Sequence, residues 1–328
     1  MNNGGPIFVG GPNRSGSSLM FALLATHPNI SMVQRTDMWP LFYRRYGDLS
    51  QPDNFERCLT AMLHYRRLTR LGSDPDHIRR EFWQGQPTYG RLFALFHEHR
   101  AKRLGKRRWG DKSLHTEHYA DQVFAEFPQA KMIQIIRDPR DRYASAHKRY
   151  NEGVATATGK WLASIKVAKR NLQRYPDRYR VVRYETLAYQ PEETLGQVCH
   201  FLNEEYTPAM FSMEGAPEHL EQAGDSSFER FKPGEISTRS IGRFRKVISS
   251  HEIAFIQMCA GRQMADFDYQ VEPVQFSGSD RLLFYLVTLP TKLARLAGWF
   301  MRQKIREKRG RTIPVHRVIE NAVNEELP

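Results

Sequence analysis

A run of glycine and hydroxyl residues near the N-terminus has the composition and the position of an anion-binding loop. The run at Gly10–Ser18 reads GGPNRSGSS and follows a short apolar segment, Pro6–Gly10, which ends at glycine as a buried parallel strand does. Residues Ser17 to Thr26 then have the pattern of a helix. Backbone N–H groups at the start of a helix bind anions, and the helix dipole favours negative charge there. We therefore expect this loop to hold a phosphate or a sulfate.

The loop has the spacing of a nucleotide-kinase phosphate loop but lacks its lysine. Gly11 and Gly16 match the Walker A frame, whereas Ser17 stands where a kinase requires lysine. Without that lysine, the oxygen between the β- and γ-phosphates loses its main cation. The cation of this loop is instead Arg14, three residues before Ser17. A P-loop kinase of small molecules is therefore an alternative that the loop disfavours.

A second anion clamp follows the apolar segment Met132–Ile136, which has the character of a buried strand. Arg137 comes directly after this segment, and Ser145 lies eight residues further on. Asp138 and Pro139 are suited to the N-cap and the first position of an intervening helix. A guanidinium at a strand end and a hydroxyl on the next helix can close on one phosphate from two sides.

Together the two motifs resemble the donor-binding motifs of sulfotransferases, which use 3′-phosphoadenosine 5′-phosphosulfate (PAPS) as donor. The Arg-Ser-Gly-Ser-Ser run is similar to their 5′-phosphosulfate loop, and the second motif is similar to their 3′-phosphate motif. The donor contacts that the resemblance implies here are Arg14, Ser15, Gly16, Ser17, Ser18, Arg137 and Ser145. The His27-Pro28 step and the run Gly110–Ser113 are more similar to the bacterial, carbohydrate and protein-tyrosine branches than to the phenol-type branch.

Two further segments support the resemblance. Tyr184, at the end of a predicted strand over 179–184, matches a family tyrosine that lies beside the adenine, where an aromatic ring gives stacking or edge contacts. The segment 237–245 is similar to a basic loop that closes over the donor nucleotide, although it lacks the Arg-Lys-Gly triplet of the phenol-type branch. It implies Arg239 and Arg243 as 3′-phosphate contacts, with a solvated basic loop as the alternative.

The resemblance also implies which residues act on the reacting groups. The protein must align acceptor and sulfur, stabilise charge on the departing phosphate and remove the acceptor proton. Arg14 is expected at the transferring sulfonate and Lys112 near the leaving oxygen. Many family members carry a glutamate after the His-Pro step, but Gln34–Thr36 fills those positions here, so Asp37 is the nearest carboxylate. His115 is the rival base. No metal ion is expected, because we find no carboxylate pair that would bind one.

Strands that alternate with helices predict the elements that position these residues. We expect an α/β, P-loop-type three-layer fold with a central parallel sheet and a site at the carboxyl ends of its strands. Residues 41–108 have apolar positions at helical spacing and predict a helical insertion that shapes the acceptor pocket. The predicted division is a sulfotransferase domain at 1–277 and a basic helical extension at 278–328.

The composition favours a packed protein that binds anions. The 328 residues are 40% hydrophobic and 12% aromatic, which argues against disorder along the whole length. The net charge of +13 favours anionic ligands or partners. A non-enzymatic nucleic-acid-binding protein is the second alternative, which we disfavour because zinc-finger spacing and an aromatic ladder are absent from the sequence. The three widely spaced cysteines, and an N-terminus without the features of a signal peptide, predict a cytoplasmic protein.

The C-terminal segment differs from the rest of the chain. Residues 281–300 are mostly apolar, but Pro290 and basic residues interrupt them too often for a secure membrane span. Eight basic residues and one acidic residue follow within 292–311. The region 281–311 therefore predicts peripheral contact with an anionic inner membrane face. Packing on its own domain and a homodimer contact are the alternatives.

The sequence predicts a hydroxyl or amine acceptor, in a carbohydrate, a lipid-linked compound or a small molecule.

Overall fold

A five-stranded sheet forms the centre of the molecule, for which the computed structural model describes residues 4–221, 228, 232 and 235–308. All neighbouring strands pair in parallel, in the order β2-β3-β1-β4-β5. The strands are β1 (Ile7–Gly10), β2 (Ile30–Gln34), β3 (Arg108–Lys112), β4 (Lys131–Ile136) and β5 (Tyr179–Arg183). Successive residues of a strand face opposite sides of a sheet. Accordingly, Phe8 belongs to the core on one face, and Ile7 and Val9 belong to the core on the other.

Helices connect the strands and cover the sheet. The α-helices are α1 (Ser17–Thr26), α2 (Met38–Leu41), α3 (Pro52–His64), α4 (Arg66–Thr69), α5 (Pro75–Phe82), α6 (Tyr89–Arg103), α7 (Ala120–Glu126), α8 (Pro139–Tyr150), α9 (Val154–Arg174), α10 (Tyr184–Tyr189), α11 (Pro191–Leu202), α12 (Pro217–Glu221), α13 (Phe244–Val247), α14 (Ser250–Ala265), α15 (Gly278–Leu283) and α16 (Leu289–Lys308). Short 3₁₀ turns lie at Thr116–Tyr119 and Pro208–Ser212, and a π-helical turn at Phe284–Thr288 joins α15 to α16. Strand and helix alternation confirms the predicted P-loop-type α/β fold.

The half of the sheet at β2 and β3 departs from the sequence expectation. The sequence does not predict β2, whose segment ISMVQ mixes serine and glutamine with apolar residues and follows the His-Pro step directly. The sequence also predicts that the segment Trp109–Ser113 is only a short strand edge that enters a loop. In the structure β3 lies inside the sheet, between β1 and β2, and all five of its residues are buried. The polar residues Asp111 and Lys112 are therefore enclosed at the end of an interior strand.

The two predicted helical additions are present. Helices α2 to α6 lie between β2 and β3, so the segment predicted as an insertion is helical, and α6 packs on β2 and β3. In the C-terminal extension, α16 packs on α9, where the ring of Trp299 lies against Gly159. A Cβ atom at Gly159 would come within 2.6 Å of that ring. Over the described ranges, which end at residue 308, we find no helix with the length and apolar character that crossing a bilayer requires.

Candidate active site

The carboxyl ends of all five strands contribute residues to one cavity. The contributions are Arg14, Gly16, Ser17 and Ser18 after β1, Arg35 after β2, Lys112 at the end of β3, Arg137 after β4 and Tyr184 after β5. Ser145 of α8 and Arg243 of the basic loop also line it. Parallel sheets of this class bind their ligands at this edge. The structure thus brings most of the predicted donor contacts together around a single opening.

The loop after β1 has the geometry of an anion cradle. Gly16 adopts a φ of 97° and is the N-cap of α1, and as a glycine it has no side chain to cap that helix. The cap residue therefore leaves the first N–H groups of α1 without a side-chain acceptor of its own. Gly16 also contacts the ring of Tyr184, since a Cβ atom there would lie 2.5 Å from Tyr184 Cδ2. Glycine is required at this position by both the backbone angle and the close approach.

The two predicted anion-binding motifs touch each other. Arg14 Nε donates a hydrogen bond to Ser145 Oγ at 3.0 Å, and Arg137 Nη1 donates to the backbone oxygen of Arg14 at 3.4 Å. Asp138 caps α8 by accepting from the backbone N–H of Arg140, as the sequence predicts. This cap fixes the start of the helix that carries Ser145. The loop and the strand-end clamp therefore form two sides of one site.

The donors and charges of the cavity fit a ligand with several anionic groups. Ser15 Oγ and Arg137 Nε are buried and have no hydrogen-bond partner in the part of the chain that the structure describes. Buried polar atoms normally have partners, so two orphans beside an uncapped helix start indicate a missing acceptor. The described lining residues include five cations (Arg14, Arg35, Lys112, Arg137 and Arg243) and two carboxylates (Asp141 and Glu235). This excess of positive charge favours a phosphate or sulfate ligand.

The basic loop at 237–245 is held over the cavity by specific contacts. Tyr184 donates its hydroxyl to Ser237 O at 3.2 Å and pairs with Ser240 Oγ at 2.9 Å, while the guanidinium of Arg137 lies 4.6 Å from the Tyr184 ring centre. Arg137 Nη2 also donates to Ser240 O at 2.7 Å. Asp141, on α8, accepts from the backbone N–H of two later residues of the loop, at 2.6 and 2.9 Å. These contacts join the adenine-side tyrosine, the strand-end arginine and the loop into one unit.

The two arginines predicted in this loop occupy different positions. Arg243 lines the cavity, and its guanidinium lies 4.7 Å from the ring centre of Phe228. Arg239 forms an ion pair with Glu235 at 2.6 Å and is outside the set of described residues that line the cavity. Glu235 itself lines the cavity rim. The geometry therefore brings Arg243, but not Arg239, to the other cations.

Lys112 ends an interior strand and points toward the phosphate loop. Its side chain is buried, with 2% of the residue exposed, and Nζ lies 3.4 Å from Ser18 Oγ at the start of α1. The sheet fixes its backbone from both sides, because β3 pairs with β1 and β2. A buried ammonium beside a helix N-terminus concentrates positive charge at one point. Lys112 is thus placed to stabilise negative charge that develops at the loop.

The two predicted bases both lie outside the described lining of the cavity. Asp37 is buried, and its Oδ2 accepts from Arg67 Nη1 at 2.5 Å and from the Tyr65 hydroxyl at 3.4 Å. Burial raises the pKa of Asp37, against the opposing effect of the Arg67 charge. His115 adopts a φ of 63°, and its Nδ1 lies 4.0 Å from Glu117 Oε1. Both predicted bases therefore lie beside the described lining of the cavity, not within it.

Two fully buried carboxyl groups, Asp111 and Glu117, support the site, and the sequence analysis assigns no role to either. Glu117 Oε2 accepts from the backbone N–H of Gly11 at 2.8 Å, so it holds the start of the phosphate loop. Asp111 accepts from Thr36 Oγ1 and from Ser113 Oγ, each at 2.9 Å. Burial raises the pKa of each carboxyl to about 7. Glu117 contacts Gly11 and Asp111 contacts Thr36, so each carboxyl group joins segments that are distant in the sequence. Only the folded structure shows these contacts.

The raised pKa of Glu117 predicts a pH-dependent contribution to stability. The folded protein binds this proton more tightly than the unfolded chain, whose carboxyl has a pKa near 4.5. The free energy of unfolding should therefore fall as pH rises from about 4.5 to 7, by on the order of 1 kcal/mol per pH unit for one group. Glu117→Gln removes this proton and should lessen the decline over that window. Urea denaturation across the pH range measures the difference.

An exposed carboxylate provides the matched control for this stability measurement. Glu192, on α11, is solvent-exposed, so Glu192→Gln should leave the wild-type pH dependence in place. If Glu117→Gln and wild type lose stability in parallel between pH 4.5 and 7, the buried Glu117 carboxyl does not carry the effect.

Comparison with known proteins agrees with this geometry. A model of the Sulfotransferase family matches residues 6–208, which is more than half of the chain. The chain belongs to the sulfotransferase family. This membership confirms the predicted family. It also decides against the small-molecule kinase and the nucleic-acid-binding alternatives.

Individual sulfotransferases are similar to this chain at low sequence identity. A protein-tyrosine sulfotransferase of Drosophila melanogaster is 27% identical over 261 residues, which cover 71% of this chain and 46% of the relative. The chain thus spans about half the length of that relative. The solved sulfotransferase domain of the Synechococcus PCC 7002 olefin synthase has a TM-score of 0.56 and 19% identity, and the match covers 81% of this chain and 95% of that one. The sulfotransferase domain from the curacin biosynthetic pathway has a TM-score of 0.54 and 17% identity, over 82% and 99% of the two chains.

Proposed function

We propose that this sulfotransferase moves the sulfuryl group of PAPS to a hydroxyl or amine acceptor within the cavity described above. One observation carries the proposal: the phosphate loop and the strand-end clamp line the same cavity and are joined by the hydrogen bond from Arg14 to Ser145. A ligand with an anionic group at each end of an adenosine matches this pair of cradles. The uncapped start of α1 and the orphaned Arg137 Nε supply its binding groups.

Each end of the donor has its own set of proposed contacts. The 5′-phosphosulfate lies on the N–H groups at the start of α1, with Arg14 and the serines at 15, 17 and 18 around it. The 3′-phosphate lies between Arg137 and Ser145, with Arg243 closing over it. Tyr184 borders the adenine. Arg239 contributes less than Arg243 to binding of the 3′-phosphate, since its guanidinium is paired with Glu235.

The transfer itself needs charge stabilisation more than covalent help from the protein. The acceptor oxygen or nitrogen attacks sulfur, the bond between sulfur and the 5′-phosphate oxygen breaks, and the electron pair stays on adenosine 3′,5′-bisphosphate (PAP). We assign Lys112 and the loop N–H groups to that departing oxygen, because both lie at the start of α1. Arg14 orients the sulfonate. The acceptor proton passes to a base, for which Asp37 and His115 remain the proposed residues.

Paired substitutions distinguish the two proposed bases. If Asp37 takes the proton, Asp37→Asn lowers turnover by about two orders of magnitude or more and leaves PAP affinity unchanged, since Asp37 lies outside the cavity lining. His115→Gln is the parallel variant, and a base there gives the same loss. Steady-state kinetics and PAP titration of both proteins measure the two effects. Unchanged turnover in both variants contradicts the assignment of either residue and leaves proton removal to the acceptor or to solvent.

The acceptor is best identified by following the label of the donor. The Drosophila relative is named for protein tyrosine, so a tyrosine hydroxyl is one candidate, beside the carbohydrate, lipid-linked and small-molecule acceptors. Host-extract metabolites, glycolipids and proteins are incubated with the enzyme and isotopically labelled PAPS, and mass spectrometry locates the label. We expect labelled sulfate on one product class and PAP as by-product. Phosphate transfer from ATP without sulfate transfer from PAPS contradicts the proposed function.

A further inference from the structure

An apolar stripe runs along the exposed side of the C-terminal helices. Its members are the apolar side chains of this segment that are at least 43% exposed: Leu282, Leu283, Tyr285, Leu286, Val287, Leu293, Met301 and Ile305. Leu282 and Leu286 are separated by four residues, as are Met301 and Ile305, and this separation places the two members of each pair on the same helix face. Leu286 is 72% exposed, and Leu282 and Met301 are each 64% exposed. Contiguous exposed apolar surface of this kind marks an interaction site more often than a solvent face.

The domain holds these helices by their other side. Phe284 is fully buried, with its ring against those of His251 and Phe276, and Trp299 and Leu296 are buried where α16 packs on α9. The same helices therefore carry both residues that anchor them to the domain and apolar residues that stay exposed. This arrangement excludes the simplest alternative, in which the extension buries all of its apolar surface on its own domain.

The charges beside the stripe select the kind of partner. Between Gly278 and Lys308 there are seven basic residues and two acidic ones. Four of the basic residues, Arg302, Lys304, Arg306 and Lys308, are exposed around Met301 and Ile305. A second copy of this chain would bring like charges together across a symmetric contact. An anionic bilayer accepts both the apolar stripe and the cations.

We propose that the exposed stripe of α15 and α16 docks the enzyme on an anionic lipid bilayer. The apolar side chains enter the boundary between headgroups and acyl chains, and the exposed lysines and arginines contact the acidic headgroups. The helices lie in the membrane plane, with Trp299 and Phe284 keeping them attached to the domain. This proposal rests on the helix faces alone and is independent of the reaction in the cavity. It assigns the peripheral membrane contact that the sequence predicts to a defined surface.

Vesicle binding by the full chain tests the stripe. Wild-type protein is sedimented with phosphatidylcholine vesicles, with and without phosphatidylserine. We expect binding to the anionic vesicles that weakens with salt. Leu282→Ser together with Leu286→Ser should lower the partition coefficient at least about tenfold. Lys304→Gln together with Lys308→Gln should lower it about fivefold for each charge removed.

Matched variants elsewhere on the surface keep the test specific. Met258 is 54% exposed on α14, so Met258→Ser removes a similar exposed side chain from a helix that is not part of the stripe. Lys102 is exposed on α6, so Lys102→Gln removes one surface charge. Both controls should bind vesicles as wild type does, and all variants should retain wild-type thermal unfolding. The proposal is overturned if the stripe variants also bind like wild type. It is equally overturned if light scattering shows a dimer that Leu282→Ser with Leu286→Ser dissociates while no protein binds vesicles.

Discussion

Arg137→Ala is expected to weaken the binding of PAP by about a hundredfold or more. Arg137 is 7% exposed, and its Nε is a buried donor with no partner in the described ranges, so a phosphate there would complete its hydrogen bonds. Truncating one partner of a buried, hydrogen-bonded charge pair costs roughly 2–5 kcal/mol. The 3′-phosphate should lose its paired contact, while the loop around Arg14 still binds the 5′ end. Isothermal titration of PAP measures the change directly.

Two matched variants show whether this loss belongs to the phosphate contact. Arg149 is exposed near the end of α8, so Arg149→Ala removes an arginine outside the cavity and should leave PAP affinity unchanged. Arg137→Lys keeps the charge but loses the planar fork and the stacking on Tyr184, so an intermediate affinity is expected. If Arg137→Ala binds PAP with wild-type affinity, the strand-end clamp does not contact the donor nucleotide.

Lys112→Ala is expected to lower turnover by about two to three orders of magnitude with a much smaller effect on PAP binding. The ammonium lies beside the start of α1, where negative charge builds on the departing phosphate oxygen during transfer. Removing one preorganised group that stabilises such charge costs roughly 10²–10³ in kcat. PAP binding is spread over several other groups, which the substitution leaves in place. Single-turnover transfer and PAP titration on the same protein separate the two effects.

The surface lysine variant Lys102→Ala is the control for this substitution, since it removes an exposed ammonium from α6. It should transfer sulfate at the wild-type rate. Because Lys112 is buried at the end of β3, thermal unfolding of Lys112→Ala should be measured alongside its activity. A loss of turnover matched by an equal loss of PAP affinity would make Lys112 a donor-binding residue. Normal turnover would exclude it from the reaction altogether.

The parts of the site that local sequence patterns define were predictable. The glycine and serine loop after β1, the helix that follows it at Ser17–Thr26 and the Asp138 cap of α8 each depend on residues within one turn or one segment. Local hydrogen bonds and fixed backbone angles specify such elements without knowledge of the rest of the fold. The placement of Arg137 at a strand end followed from the same kind of pattern.

The parts that depend on long-range contacts were not predictable in this way. Strand β2 is stabilised by its pairing with β3, since its own five residues mix apolar and polar types. Glu117 supports the phosphate loop across 106 residues of sequence, and Asp141 holds the basic loop across about as many. Arg35 lines the cavity only because β2 ends beside β3. The spacing of residues along the sequence does not show which distant segments will be in contact.

A crystal structure of the protein with bound PAP tests the central claim most directly. One nucleotide should bridge both cradles, with its 5′-phosphate on the N–H groups that begin α1 and its 3′-phosphate within hydrogen-bond reach of Arg137 Nε and Ser145 Oγ. A nucleotide that occupies one cradle alone, or that lies outside the cavity, would contradict the account.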